Sequence, residues 1–106
     1  MIAKKSTPFY PIHPGEILKE EIEYRGISQR KLAMQMGFSY TMLNEILNNK
    51  RSVNTEFALL IEAALGLDAE TLLNMQTRYN MQRARSDKDK QNRWKEVRKI
   101  CASFLS

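Results

Sequence analysis

Apolar residues recur at intervals of three and four through most of the chain. Short turn signals separate them at Arg25-Gly26, Met36-Gly37, Asn48-Asn49 and Leu65-Gly66. The pieces between these breaks read as helices. A first helix is expected to open at His13-Pro14-Gly15-Glu16, with Pro14 at the first helical position, where its missing N–H has no intrahelical partner anyway. Ile17, Leu18 and Ile22 make its apolar side, and Gly26 ends it. Ser28 should cap a second helix running to about Met36, with Leu32, Ala33 and Met36 turned inward. Ser39 should cap a third, with Leu43, Ile46 and Leu47 inward. Asn54 suits the start of a fourth, whose Phe57, Leu60, Ile61 and Ala64 form a core-facing repeat. Asp68 should cap a fifth, from which Leu72 and Leu73 pack back. No alternating stretch is long enough to propose a strand, so the expected class is all-α.

The pattern weakens after that. Residues 83–92 are mostly charged and read as a loop or as the solvated part of a long helix. From Arg93 to Phe104 a terminal amphipathic helix is expected through Trp94, Val97, Cys101 and Phe104. With Ile100 these side chains form a broad apolar face for self-packing, a second copy or another protein. The division expected is a domain over residues 10–80 and a basic helical tail over 81–106.

Composition narrows the classes. At 106 residues the chain holds one domain with a short appendage, too little for a TIM barrel. Cys101 is the one cysteine and His13 the one histidine, which excludes an intrachain disulfide and the usual Cys/His zinc sets. No metal or cofactor is therefore expected. No apolar run approaches membrane-spanning length, and Met1 to Pro14 lacks the apolar segment of a signal peptide. A soluble protein of a reducing cytoplasm, without a membrane partner, is the simplest expectation.

The net charge is +5, but it is unevenly placed. Residues 76–106 carry nine basic and three acidic side chains, more than the whole excess. Glu16, Glu20, Glu21 and Glu23 make the first helix acidic, whereas residues 28–54 hold Arg30, Lys31, Lys50 and Arg51 against Glu45 alone. A nucleic-acid face is sought there first.

That stretch has the form of a helix-turn-helix, two short helices joined by a tight turn containing Gly37. Ala33 is small where the helices approach. The second helix of such a unit enters the DNA major groove with its N-terminal residues over base edges. Its outer positions here are Tyr40, Thr41, Asn44 and Glu45. Asn44 offers the paired donor and acceptor that an adenine edge requires, Thr41 a hydroxyl and a methyl, and Glu45 an acceptor for cytosine N4. Gln29 at one helix start and Ser39 at the next are placed for phosphates, as are Asn49, Lys50 and Arg51 in the following loop. An enzyme is not expected: His13 stands without a second histidine, Ser39 reads as a cap, and the glutamates of the first helix read as its solvated side.

Three segments in order, His13-Pro14-Gly15-Glu16-Ile17-Leu18, Gly26-Ile27-Ser28-Gln29-Arg30-Lys31-Leu32-Ala33 and Asn44-Glu45-Ile46-Leu47-Asn48-Asn49-Lys50-Arg51-Ser52, carry a resemblance. They resemble the HigA/VapI group of antitoxins in the lambda-repressor-like helix-turn-helix (XRE) family, over roughly residues 10–80. The resemblance implies a five-helix DNA-binding bundle acting as a homodimer on operator DNA. It also implies an antitoxin that binds a ribosome-dependent mRNA-cleaving toxin and represses its own operon. The family's phosphate-gripping glutamine falls on Gln29, its base-reading positions on Tyr40, Thr41, Asn44 and Glu45, and its phosphate loop on Asn49, Lys50 and Arg51. Where the family often opens its fourth helix with Thr-Pro-Glu, this chain has Asn54-Thr55-Glu56, which keeps the cap and lacks the proline. A free-standing repressor and a helical protein-interaction module are the competing readings.

Overall fold

The computed structural model describes residues 11–105. Along them run six helices: α1 (Pro14–Tyr24), α2 (Gln29–Met36), α3 (Tyr40–Leu47), α4 (Thr55–Leu65), α5 (Ala69–Arg85) and α6 (Lys88–Leu105). Among the described residues there is no strand, and no helix is long and apolar enough to cross a membrane. The expectations for residues 1–10, the missing signal peptide and the domain start at residue 10 among them, lie outside the described residues.

Side chains settle where the helices begin. An N-terminal turn leaves backbone N–H groups without partners, and a short polar side chain just before it can accept from one of them. His13 Nδ1 accepts from the Gly15 N–H at 2.9 Å, Ser28 Oγ from Lys31 at 3.2 Å and Ser39 Oγ from Met42 at 3.2 Å. Asn54 Oδ1 accepts from Phe57 and Asp68 Oδ2 from Thr71, both at 2.9 Å. Asp87 Oδ1 serves α6 in the same way, accepting from Asp89 and Lys90.

Ile12–Arg78 forms one unit. Its core joins Leu18 and Ile22 of α1 to Leu43, Ile46 and Leu47 of α3 and to Phe57 and Ile61 of α4. Leu32 and Ala33 bring α2 onto it, and Leu72 brings α5. Phe38, in the turn between α2 and α3, lies against Phe57 with ring centroids 5.1 Å apart.

Two of the expected apolar faces are rotated. In α1 the buried stripe is Pro14, Gly15, Leu18 and Ile22, while Ile17 is 40% exposed. In α4 it is Phe57, Ala58, Ile61 and Leu65. Leu60 is half-buried and Ala64 exposed, both lining an open groove with Ile27 and Met36 of the α2 side. A 3.6-residue repeat fits two adjacent stripes about 100° apart, and the neighbouring helices select one.

The remaining residues, from Tyr79 onward, belong to a second unit. Helix α5 continues to Arg85, the chain turns at Ser86 and Asp87, and α6 starts at Lys88, five residues before the expected Arg93. Ser86 Oγ donates to the Arg83 carbonyl, and the Gln91 side-chain amide donates to the Arg85 carbonyl. The polar stretch 83–92 is thus mostly helical, with one capped break. On α6, Trp94, Val97, Ile100 and Phe104 are exposed and Cys101 is half-buried.

Candidate nucleic-acid interface

The α2–α3 corner is built for a close, fixed turn. Gly37 sits at φ 64°, ψ 35°, a left-handed conformation that glycine adopts without a Cβ penalty. Its N–H donates to the Met34 carbonyl and the Phe38 N–H to the Ala33 carbonyl, which satisfies the last turn of α2. The chain then reverses within two residues and Ser39 starts α3.

Helix α3 is held from behind. Leu43, Ile46 and Leu47 are each at most 1% exposed, so the opposite face has no freedom to roll. Helix α1 meets its C-terminal end at Gly15, where a Cβ would lie 1.9 Å from the Ile46 carbonyl oxygen. Only glycine permits that approach. The buried His13 imidazole caps α1 at the same place. This is the structural role that the sequence assigned to His13, and among the described residues no cluster of His, Cys, Asp or Glu could hold a metal.

On the solvent side, the residues singled out in the sequence fall into linked pairs. The Asn44 amide donates to Gln29 Oε1 at 3.3 Å, joining a base-reading candidate to a phosphate candidate across fifteen positions of sequence. Arg51 donates to Glu45 Oε1 from Nε at 2.9 Å, with Nη2 at 2.8 Å from the same oxygen. Tyr40 is half-buried at the edge of the core and Arg30 stacks over its ring, the guanidinium carbon 4.2 Å from the centroid. Thr41 is exposed one position further along. Ser39 spends one oxygen lone pair on the Met42 N–H and keeps its hydroxyl proton to donate. Lys50 is exposed in the loop after α3.

That loop has its own lock. Asn49 has φ 64°, the one left-handed non-glycine among the described residues. Its N–H donates to the Ile46 carbonyl at 3.2 Å and the Lys50 N–H donates to the Glu45 carbonyl at 2.8 Å. Asparagine tolerates this conformation better than most side chains. The backbone at Lys50 is thereby turned back onto the end of α3, and the Arg51 side chain reaches Glu45.

Three contributors were not foreseen. Arg30 was counted as charge but not placed on Tyr40. Asn48 donates to the Asn44 carbonyl at 2.8 Å and accepts from Lys19 Nζ at 3.3 Å, tying α1 to the end of α3. Gln76 is 4% exposed, and its Oε1 accepts the buried Val53 N–H at 2.8 Å. It holds the chain that follows the loop after α3. The available signal was a polar side chain four positions after Leu72, on the inward stripe of α5.

A helix-turn-helix family model matches residues 18–72. Virulence-associated protein I of Dichelobacter nodosus is 40% identical over 82 residues, 76% of each chain. An addiction module antidote protein of a HigA family from Coxiella burnetii superposes with a TM-score of 0.66 at 36% identity, covering 70% of this chain and 82% of that one. A Pseudomonas aeruginosa protein, solved in complex with its 28-bp operator DNA, superposes with a TM-score of 0.71 at 30% identity, covering 77% and 91%. The matched residues contain α2, α3 and the corner between them, and the chain belongs to the helix-turn-helix family of XRE type, alongside HigA antitoxins and VapI-like proteins.

Proposed function

We propose that this chain is a sequence-specific DNA-binding antitoxin of the cytoplasm that represses its own operon and neutralises an mRNA-cleaving, ribosome-dependent toxin. The observation that carries the DNA reading is α3 itself. Its inner face is fixed by Leu43, Ile46 and Leu47, while Thr41, Asn44 and Glu45 stand outward beside the basic loop. A rigid helix with hydrogen-bonding side chains of two kinds on one face is what major-groove readout needs. Its chemistry is binding rather than catalysis. Gln29, Ser39, Asn49, Lys50 and Arg51 serve as backbone contacts that set register, and Tyr40, Thr41, Asn44 and Glu45 face the bases.

The 10–80 segment is the DNA-binding domain in this reading, and the 81–106 tail is where a second copy or the toxin docks. Trp94, Val97, Ile100, Cys101 and Phe104 supply the docking face. A twofold assembly suits operators whose half-sites lie about one helical turn apart. The antitoxin part draws on relatives described as an addiction module antidote and as an antitoxin.

Two measurements test the proposal. Binding isotherms on the chain's own promoter and on a scrambled duplex, at several salt concentrations, should show tighter binding to the promoter. Co-expression with the product of the adjoining gene should yield a complex that survives purification. Promoter binding without such a complex leaves a free-standing repressor. Equal affinity for both duplexes would falsify sequence-specific recognition.

A further inference from the structure

Glu45 and Arg51 stand in the interface with opposite charges and opposite tasks. A carboxylate facing DNA repels phosphates, and a guanidinium attracts them. The structure couples the two. Both Arg51 contacts, from Nε and Nη2, end on Glu45 Oε1. That edge of the guanidinium is one of those that grip a phosphate with two parallel bonds. Glu45 also holds the loop by its backbone, since its carbonyl accepts the Lys50 N–H while Asn49 makes the left-handed turn. One residue of the reading helix thus sets both the path of the loop and the aim of its arginine.

We propose that Glu45 is a specificity-determining residue that acts through Arg51, holding the guanidinium off the DNA backbone until a base donor takes its carboxylate. The inference rests on the DNA-binding reading above. On bulk DNA the pair stays closed and one phosphate contact is missing. At a site presenting a cytosine amino group to α3, N4–H donates to the carboxylate, the pair opens and Arg51 moves to a phosphate. The pair is partly exposed, with 45% of the arginine side chain and 37% of the glutamate accessible. An ion pair of that kind is weak enough for a base donor to open it. The backbone contact then forms only where the base has been read.

The test is Glu45→Gln, with Arg51→Ala and the double variant beside it. Affinities are measured on operator and scrambled duplexes across a salt series. Glu45→Gln should bind the scrambled duplex roughly eightfold more tightly near about 0.1 M salt and steepen its salt slope by about one unit, the effect of one added phosphate contact. Operator binding should change less, so the ratio of the two affinities falls. The gain on scrambled DNA should vanish when Arg51 is also alanine. In the DNA-free protein, the Arg51 Nε–H resonance should exchange measurably more slowly than in Glu45→Gln. An unchanged affinity for scrambled DNA, an equal change on both duplexes, or a gain that persists without Arg51 overturns the inference. So does an Nε–H that behaves alike in both proteins. If the parent chain binds neither duplex, the DNA reading itself falls and takes this inference with it. Failure of Glu45→Gln alone leaves that reading standing.

Discussion

Asn44 lies where two demands meet. In the proposed DNA reading its amide presents a donor and an acceptor in one plane to an adenine edge, whereas a free asparagine rotates about two torsions. The bond to Gln29 restricts that rotation before any base arrives. Replacing Asn44 by alanine should cost roughly 1–3 kcal/mol on the best operator and relax selectivity at about one base pair. Replacing Lys50 by alanine should weaken operator and scrambled duplexes alike and lower the salt slope by about one. Titrations on a panel of single-base operator variants separate the two patterns. Gly15 is of a different kind, since it touches no partner and decides where α3 can lie. The backbone carbonyl of Ile46 stands 1.9 Å from the site of a Cβ. Gly15→Ala should therefore destabilise the fold by about 1–3 kcal/mol, the usual range for overpacking, read as a lower urea midpoint. The sequence marked Gly15 as part of a helix start. It carried no sign of this close approach, because the clash partner lies thirty-one positions away.

Among the helices, the starts were the most legible feature. Ser28, Ser39, Asn54 and Asp68 all cap as their residue types suggest, because a cap is a bond within three residues of its own position. Asp68 makes a pH test possible. Hydrogen bonds from the Thr71 hydroxyl and the Thr71 N–H stabilise its ionised form and hold its carboxyl below the usual value of 3.8. A folded pKa below the unfolded one adds stability that is full above the unfolded value and fades as pH falls through the folded one. The stability difference between the parent and Asp68→Asn should therefore be constant at neutral pH and shrink below about pH 4. Melting curves from pH 2 to pH 7 measure it, and a difference that grows on acidification would contradict the assignment. The faces of the helices were less legible than their starts. Ile17 and Ala64 satisfy the repeat as well as Gly15 and Leu65 do, and contacts with α3 and α5 belong to no single helix. Gln76 was missed for the same reason, since its worth comes from the Val53 N–H across the fold.

For the chain as a unit, charge and stability reside in different places. The excess of positive charge lies after residue 75, whereas the candidate reader is the modestly basic stretch around α2, α3 and the loop. On α6 the apolar side chains Val97, Ile100 and Phe104 are exposed, Phe104 at 73%. Phe104→Asp should change the unfolding free energy by no more than about 0.5 kcal/mol. It should nevertheless reduce the assembly mass measured by sedimentation, which is the expected signature of a docking face. Unchanged mass with and without the co-expressed product of the adjoining gene would remove the tail from both proposed roles.

Local chemistry was enough to establish the all-α class, the helix starts, the Gly37 corner and the set of polar side chains around it. Each of these depends on bonds or torsions within a few residues, which the order of amino acids specifies directly. The pairing of those polar side chains was settled elsewhere. Gln29 meets Asn44 and Arg51 meets Glu45 because Gly37 and Asn49 turn the chain left-handed at two points while the core stops α3 from rolling. A list of candidate contacts becomes an interface when packing fixes distances between residues far apart in the chain, and no local pattern encodes those distances.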